Sequence, residues 1–161
     1  MSVEKNKALL RNWFDPPMGW ENLNREIHGA EDPKVKIEEF YKKARSETFT
    51  PDFVYHDTRG DMNLDSYIQH DSALWTAMPD MNISVEDIIG EGDRVMARFF
   101  LRGTHKGNFL GIPSTGKKIE MGGMMACRFA GDKFTELWVF TDRLGMMQRL
   151  GFILKQQDGG D

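Results

Sequence analysis

Asn82-Ile-Ser-Val-Glu-Asp-Ile-Ile-Gly-Glu-Gly-Asp-Arg-Val-Met-Ala-Arg-Phe-Phe-Leu-Arg-Gly103 decides the architecture of this chain. Apolar and polar residues alternate on both sides of Gly90-Glu91-Gly92-Asp93, as they do in two half-buried strands joined by a tight turn. The pattern returns over Lys118 to Phe129, where Gly122-Gly123 predicts a bulge or bend. Ala130-Gly131-Asp132-Lys133 reads as a hairpin turn, and Phe134 to Thr141 as the last strand. Between the second and third of these strands runs a loop through Gly107, Gly111, Pro113 and Gly116.

Upstream of Pro79 the period is helical. Asp32 is a good N-cap, Pro33 suits the first helical position, and Ile37, Phe40, Tyr41 and Ala44 fall on one face. That helix is predicted to end near Glu47. A short strand from Phe53 to His56 and a turn at Thr58-Arg-Gly-Asp follow. A second helix opens at Asn63, with Leu64, Tyr67, Ile68, Leu74, Trp75 and Met78 as its buried stripe and Pro79 as its stop. His70-Asp71 reads as an ordinary mid-helix pair. After Thr141 a short helix carries Leu144, Met147 and Leu150 and ends at Gly151. Helices first and long consecutive antiparallel strands afterwards predict an α+β fold. The strands are long enough to curve, and a curved antiparallel sheet with helices on its concave side encloses a cavity, the concave and mostly apolar kind of site small molecules favour.

Residues 32–151 make the expected domain. Residues 1–31 read as an N-terminal arm, in which Asp15-Pro16-Pro17-Met18-Gly19 excludes a continuous helix and Trp13, Phe14 and Trp20 predict docking. Residues 152–161 are expected to fray. The chain has 161 residues, 40% of them hydrophobic and 29% charged, which fits one globular domain. Acids outnumber Lys and Arg by 25 to 21 and no basic stripe exists, which argues against a nucleic-acid partner. Cys127 stands alone, so neither an internal disulfide nor a cysteine-rich zinc site is expected, and it reads as a small buried hydrophobe. No apolar leader and no stretch of about 20 apolar residues is present, so a membrane is not expected and the cytoplasm is.

Gly111-Ile-Pro-Ser-Thr-Gly116-Lys117-Lys118 nearly spells a phosphate loop. Lys118 stands where a hydroxyl would bind Mg²⁺, and a strand pattern follows where a helix is needed, so the segment reads as a tight strand connection. His28, His56, His70 and His105 form no metal-ligand spacing, and no metal is expected. In the last strand Glu136, Trp138, Phe140 and Asp142 share one face. An aspartate following large aromatics on an inward face would be desolvated and poised as a base. Asp142 serves equally as the N-cap of the final helix.

Several segments together resemble one family. Pro51-Asp-Phe-Val-Tyr-His56, the run from Pro79 to Val95, Gly103-Thr-His-Lys-Gly-Asn-Phe-Leu-Gly-Ile-Pro-Ser-Thr-Gly-Lys117, Glu136-Leu-Trp138 with Asp142, and Met147-Gln-Arg-Leu-Gly151 are similar to motifs of the SnoaL-like polyketide cyclases, within the nuclear-transport-factor-like superfamily. The resemblance covers about Asp32 to Gly151. It implies an α+β cone, a strongly curved antiparallel sheet wrapped on the helices with one deep pocket, and cofactor-free acid/base chemistry of the cyclase, isomerase or dehydratase type. In the polyketide cyclases a carboxylate removes an acidic proton and the enolate closes a ring by intramolecular aldol condensation. The family's acid/base aspartate matches Asp142. His56 or His105 would then hydrogen-bond the developing enolate oxygen, and Trp138, Phe140, Trp75 and Met124 would contact a small apolar or polyketide-like substrate. On the penultimate strand the chain departs from the family's pattern, with Ala126 and Arg128. The expected assembly is a homodimer, since a sheet solvated on one face leaves a broad mixed surface. The alternative is a non-catalytic module of the same fold that holds an apolar ligand or dimerises.

Overall fold

Asp32 accepts from the Lys34 amide and Asn63 from the Ser66 amide, so the two predicted caps open α3 (Pro33–Glu47) and α4 (Leu64–Ala77). The computed structural model describes residues 2–14 and 20–152, with the side chains of residues 20–22 excepted. The Pro16-Pro17 pair, the Trp20 side chain and the predicted frayed tail from residue 153 onward lie outside the described residues.

Five helices and six strands occur among the described residues, in the order α1 (Val3–Phe14), α2 (Trp20–Ile27), α3, β1 (Phe49–Asp57), β2 (Gly60–Asn63), α4, β3 (Asn82–Glu91), β4 (Arg94–Thr104), β5 (Lys118–Ala130), β6 (Lys133–Thr141) and α5 (Arg143–Leu150). The arm expected to be irregular contributes two helices. Trp13 docks at the end of α1, edge-on to Phe49 and Phe134 with ring centroids 5.3 and 5.9 Å away.

The strands form one α+β sheet in the order β2-β1-β6-β5-β4-β3, curved but not closed, so β2 and β3 are free edges. Pairing is antiparallel except between β1 and β6, which run parallel. The wholly antiparallel sheet expected from the hairpin run is corrected at that seam. β1 precedes the hairpins and meets β6 only in three dimensions, so no local turn signals the pairing. Register shifts fall between Val85 and Asp87, between Arg128 and Phe129, and between Phe49 and Val54. Gly122-Gly123 is not a bulge, and both glycines keep regular register with Phe100 and Phe99. The reason for glycine is space. A Cβ on Gly123 would lie 2.6 Å from Cζ of Phe99, and one on Gly122 would lie 3.3 Å from Cε1 of Phe100.

Alternation then sorts the side chains. Val95, Ala97, Phe99 and Leu101 on β4 are buried, as are Met121, Met125 and Cys127 on β5, with Leu137 on β6 and Phe53 and Tyr55 on β1. They pack against α3 and α4 through Ile37, Tyr41, Tyr67 and Trp75. Cys127 has no exposed surface, and burial pushes its thiol far above the usual range, which makes it inert. The near phosphate loop is a strand connection, in which Lys117 donates from Nζ to the Leu150 carbonyl at 3.0 Å and Lys118 begins β5.

Candidate functional site

Between α4 and the inward face of the sheet lies a narrow cavity. Its empty space, open solvent at its entrance included, comes to about 720 Å³. The wall is mostly apolar, with Leu74, Trp75, Phe99, Leu101, Phe109, Leu137 and Val139. Met81, Met121, Met125 and Met146 also line it, and flexible thioethers let such a wall adapt to a guest. The polar residues are few: Tyr55, Tyr67, His70, Asp71, Thr141 and Arg143.

Asp71 is the carboxyl inside. It is only 8% exposed. Its Oδ2 accepts from the Tyr41 hydroxyl and, at 3.2 Å, from Nε1 of Trp75. Loss of water raises the carboxyl to about 6 from its ordinary 3.8, and the two hydrogen bonds offset only part of that. Burial, with the Asp71 charge next, pushes the Tyr41 and Tyr67 phenols well above their ordinary value. Tyr55 rises to about 12, chiefly from burial and then from the Asp57 charge. His70 is lowered by desolvation first and by the cations Arg59 and Arg143 next, so its neutral form is favoured. Its ring lies 6.1 Å from Tyr55 and 6.4 Å from Phe109.

Beside the cavity, bonded to its lining residue Arg143, sits Asp57, whose side chain has no exposed surface. Desolvation presses its carboxyl upward, but hydrogen bonds from Arg59 and Arg143 outweigh it and hold the group far below the usual carboxylate range.

Of the catalytic and substrate-contacting residues expected from sequence, only Trp75 lines this cavity. Asp142 is exposed and caps α5, its Oδ1 accepting from the Gly145 amide at 2.8 Å. The inward placement expected for Asp142, Trp138 and Phe140 is therefore corrected. Leu137, Val139 and Thr141 take the inward face of β6, and the even-numbered set faces out. Phe140 and Met124 are 59% and 55% exposed and meet Asp142 along a shallow outer groove beside Phe100 and Gly122. Period two fixes which residues share a face but not which face is inside.

His56 is also on the outer side, stacked on Trp138 with centroids 4.5 Å apart. Its Nδ1 is 2.9 Å from Asp61, and its Nε2 is 3.4 Å from Glu136. His105 is buried in the connection before β5, with Nδ1 3.0 Å from the Thr115 hydroxyl, and is not part of the cavity wall. The three proposed catalytic side chains are thus not brought together. No group of three or more His, Cys, Asp or Glu among the described residues is placed to hold a metal.

His70 and Asp71 are the functional candidates that sequence reasoning passed over. A signal for Asp71 was available. It stands seven residues after Leu64 and four before Trp75, inside the apolar stripe of α4.

Among the described residues, the curved sheet and α4 enclose an apolar cavity whose lining includes one carboxyl, that of Asp71. The family model described as SnoaL-like polyketide cyclase matches residues 36–150, and the chain belongs to that family. Solved structures agree on the fold. One from Jannaschia sp. CCS1, provisionally described as a SnoaL-like polyketide cyclase, is 22% identical with a TM-score of 0.70, over 94% of this chain and 95% of that one. AclR from Streptomyces galilaeus, provisionally described as a hydroxylase, is 22% identical with a TM-score of 0.71, over 95% and 100%. A protein from Acidithiobacillus ferrooxidans, provisionally described as a polyketide cyclase, is 29% identical with a TM-score of 0.63, over 93% and 97%. No curated protein matches the chain in sequence. No helix among the described residues is long and apolar enough to cross a membrane.

Proposed function

We propose that this chain is a small-molecule cyclase or isomerase in which Asp71 carries the proton. The carrying observation is the position of that carboxyl, withdrawn from water inside an otherwise apolar cavity and raised to about 6. A group titrating there is mostly ionised at neutral pH yet more basic than a solvated aspartate, which suits a general base. Both hydrogen bonds use Oδ2, so Oδ1 is assigned to the guest. Asp71 takes a proton from a carbon beside a carbonyl, the C–H electron pair forms a C=C bond as the carbonyl π pair moves to oxygen, and an enolate results. In a cyclisation the enolate carbon then attacks a second carbonyl of the same molecule. The new alkoxide recovers the proton from Asp71, and the carboxylate is restored. Neutral His70, on the same wall, would hydrogen-bond the developing oxyanion.

The test uses 1-tetralone, a bicyclic ketone, and follows deuterium entry at its α-carbon in D₂O by NMR. The protein should accelerate exchange, and Asp71→Asn should cut the acceleration roughly 10²–10⁴-fold. Acceleration that survives the substitution in a folded protein refutes the assignment. The homodimer belongs to the same proposal, supported by Met96, Met124 and Phe140 standing exposed on the outer sheet face.

A further inference from the structure

Around Asp57, beside the cavity, the local charge count does not close. The Asp57 carboxylate lies between two guanidiniums. Arg59 reaches Oδ1 from Nε at 2.9 Å and Oδ2 from Nη2 at 3.4 Å, while Arg143 reaches Oδ2 from Nη2 at 2.6 Å. One negative charge faces two positive ones. Arg59 is 46% exposed, and water screens its share. Arg143 is different. It is 30% exposed and it lines the cavity. Among the described residues its guanidinium bonds only to Asp57, through one Nη2 hydrogen, which leaves Nη1, Nε and the second Nη2 hydrogen to a guest.

Of the other polar groups on the wall, only Asp71 carries an opposite charge, and no ion pair joins it to Arg143. Asp71 spends its hydrogen bonds on Tyr41 and Trp75. His70 favours its neutral form, and Tyr55 and Tyr67 remain protonated phenols. A cation with low-dielectric walls and spare donors attracts an anion more strongly than the same cation in water. The Asp57 bond also holds the side chain in place, so little freedom is lost when a ligand joins it.

We propose that Arg143 is an anion anchor and that the guest of this cavity is a largely apolar molecule bearing a carboxylate. A planar guanidinium fork matches a carboxylate, and the Asp71 charge on the same wall disfavours a more highly charged phosphate. The proposal rests on the cavity being the functional site. It deepens that reading by naming the substrate class, and it places the acid group of the guest at Arg143 with the apolar body against Trp75 and Leu137.

The test is equilibrium binding, which does not depend on whether Asp71 performs chemistry. Probes are 1-naphthoate and its uncharged counterpart 1-naphthylmethanol, titrated at pH 8 by calorimetry, with the site mapped by amide NMR shifts. The wild-type protein should bind the acid at least about tenfold more tightly than the alcohol. Arg143→Gln should abolish that preference and leave the alcohol within about twofold. Arg143→Lys should keep a preference of a few fold, because it retains charge without the fork. Equal binding of the two probes to the wild-type protein, binding of neither, shifts confined to the outer sheet face, or a preference that survives Arg143→Gln would each overturn the proposal. Should Arg143→Gln not fold, the wild-type comparison and Arg143→Lys decide it. A lost acceleration of tetralone exchange in Asp71→Asn with an intact acid preference separates the two claims.

Discussion

Replacing Asp71 by Asn should give a protein that is more stable at pH 8 and less active. In the fold this carboxyl titrates at about 6, against an ordinary 3.8. At 1.36 kcal/mol for each tenfold change in proton affinity, that separation corresponds to about 3 kcal/mol. The folded state holds the proton more tightly, so between pH 4 and 6 it binds more protons than the unfolded chain. Stability from this group is therefore present in full below about pH 4. It falls by about 1.4 kcal/mol per pH unit up to about 6, and stays lost above. An asparagine cannot ionise, and its carbonyl oxygen can still accept from Tyr41 and Trp75. Asp71→Asn should therefore match the wild type near pH 4 and exceed it by up to about 3 kcal/mol at pH 8. At about 2–4 °C per kcal/mol for a chain of this size, Tm at pH 8 should rise by roughly 6–12 °C.

Urea unfolding of both proteins at half-unit steps from pH 4 to 8 measures the difference curve, and working with the difference removes the other titrating groups. His70, lowered in the fold, contributes stability that is present above its ordinary 6.5 and is lost as pH falls through its folded value. Asp57 contributes stability that is lost only in strong acid. Both contributions occur in wild type and variant alike and cancel. Parallel curves, or an Asp71→Asn protein less stable than wild type at pH 8, would refute the claim that the fold bears the cost of an ionised carboxylate in its interior.

Asp142→Ala should lose about 1 kcal/mol of stability by removing the α5 cap while keeping tetralone exchange, read by urea melts and NMR; loss of exchange with unchanged stability would return Asp142 to the chemistry. Gly123→Ala puts a methyl group 2.6 Å from Phe99, a cavity residue, and should cost about 1–3 kcal/mol and weaken naphthylmethanol binding, measured by melting and calorimetry. Trp13→Ala should cost about 3–5 kcal/mol by thermal unfolding, because the indole is buried against Phe40, Phe49 and Phe134. Phe140→Glu should sediment as a monomer if two copies pair through the outer face of the sheet, and unchanged sedimentation of a dimer would place the contact elsewhere.

The elements themselves were legible in the sequence because their signals are local. Asp32 and Asn63 accept from backbone amides two and three residues onward, and β3 to β6 follow their alternation to within a residue or two. β2 escaped because four residues carrying one half-buried side chain make no pattern. The helices of the arm escaped because the Pro-Pro pair between them dominates its appearance, although Leu10 and Trp13 already lie three apart on one face of α1.

The site was less legible, for one geometric reason. A strand with apolar residues on both faces satisfies the same period whichever face is buried, and β6 carries Leu137 and Val139 on one side with Trp138 and Phe140 on the other. Aromatic size pointed to the second set. The parallel seam with β1 contributes to burying the first set, by placing Tyr55 beside Leu137 and His56 beside Trp138. A helix gives no such freedom, because its apolar stripe has one direction and a carboxyl within the stripe must enter the core with it. Asp71 was therefore decidable from sequence where Asp142 was not. A charged residue at a stripe position costs stability unless something is gained in return, and an apolar hollow beside Tyr67, Trp75 and Arg143 is a place where a displaced proton is useful.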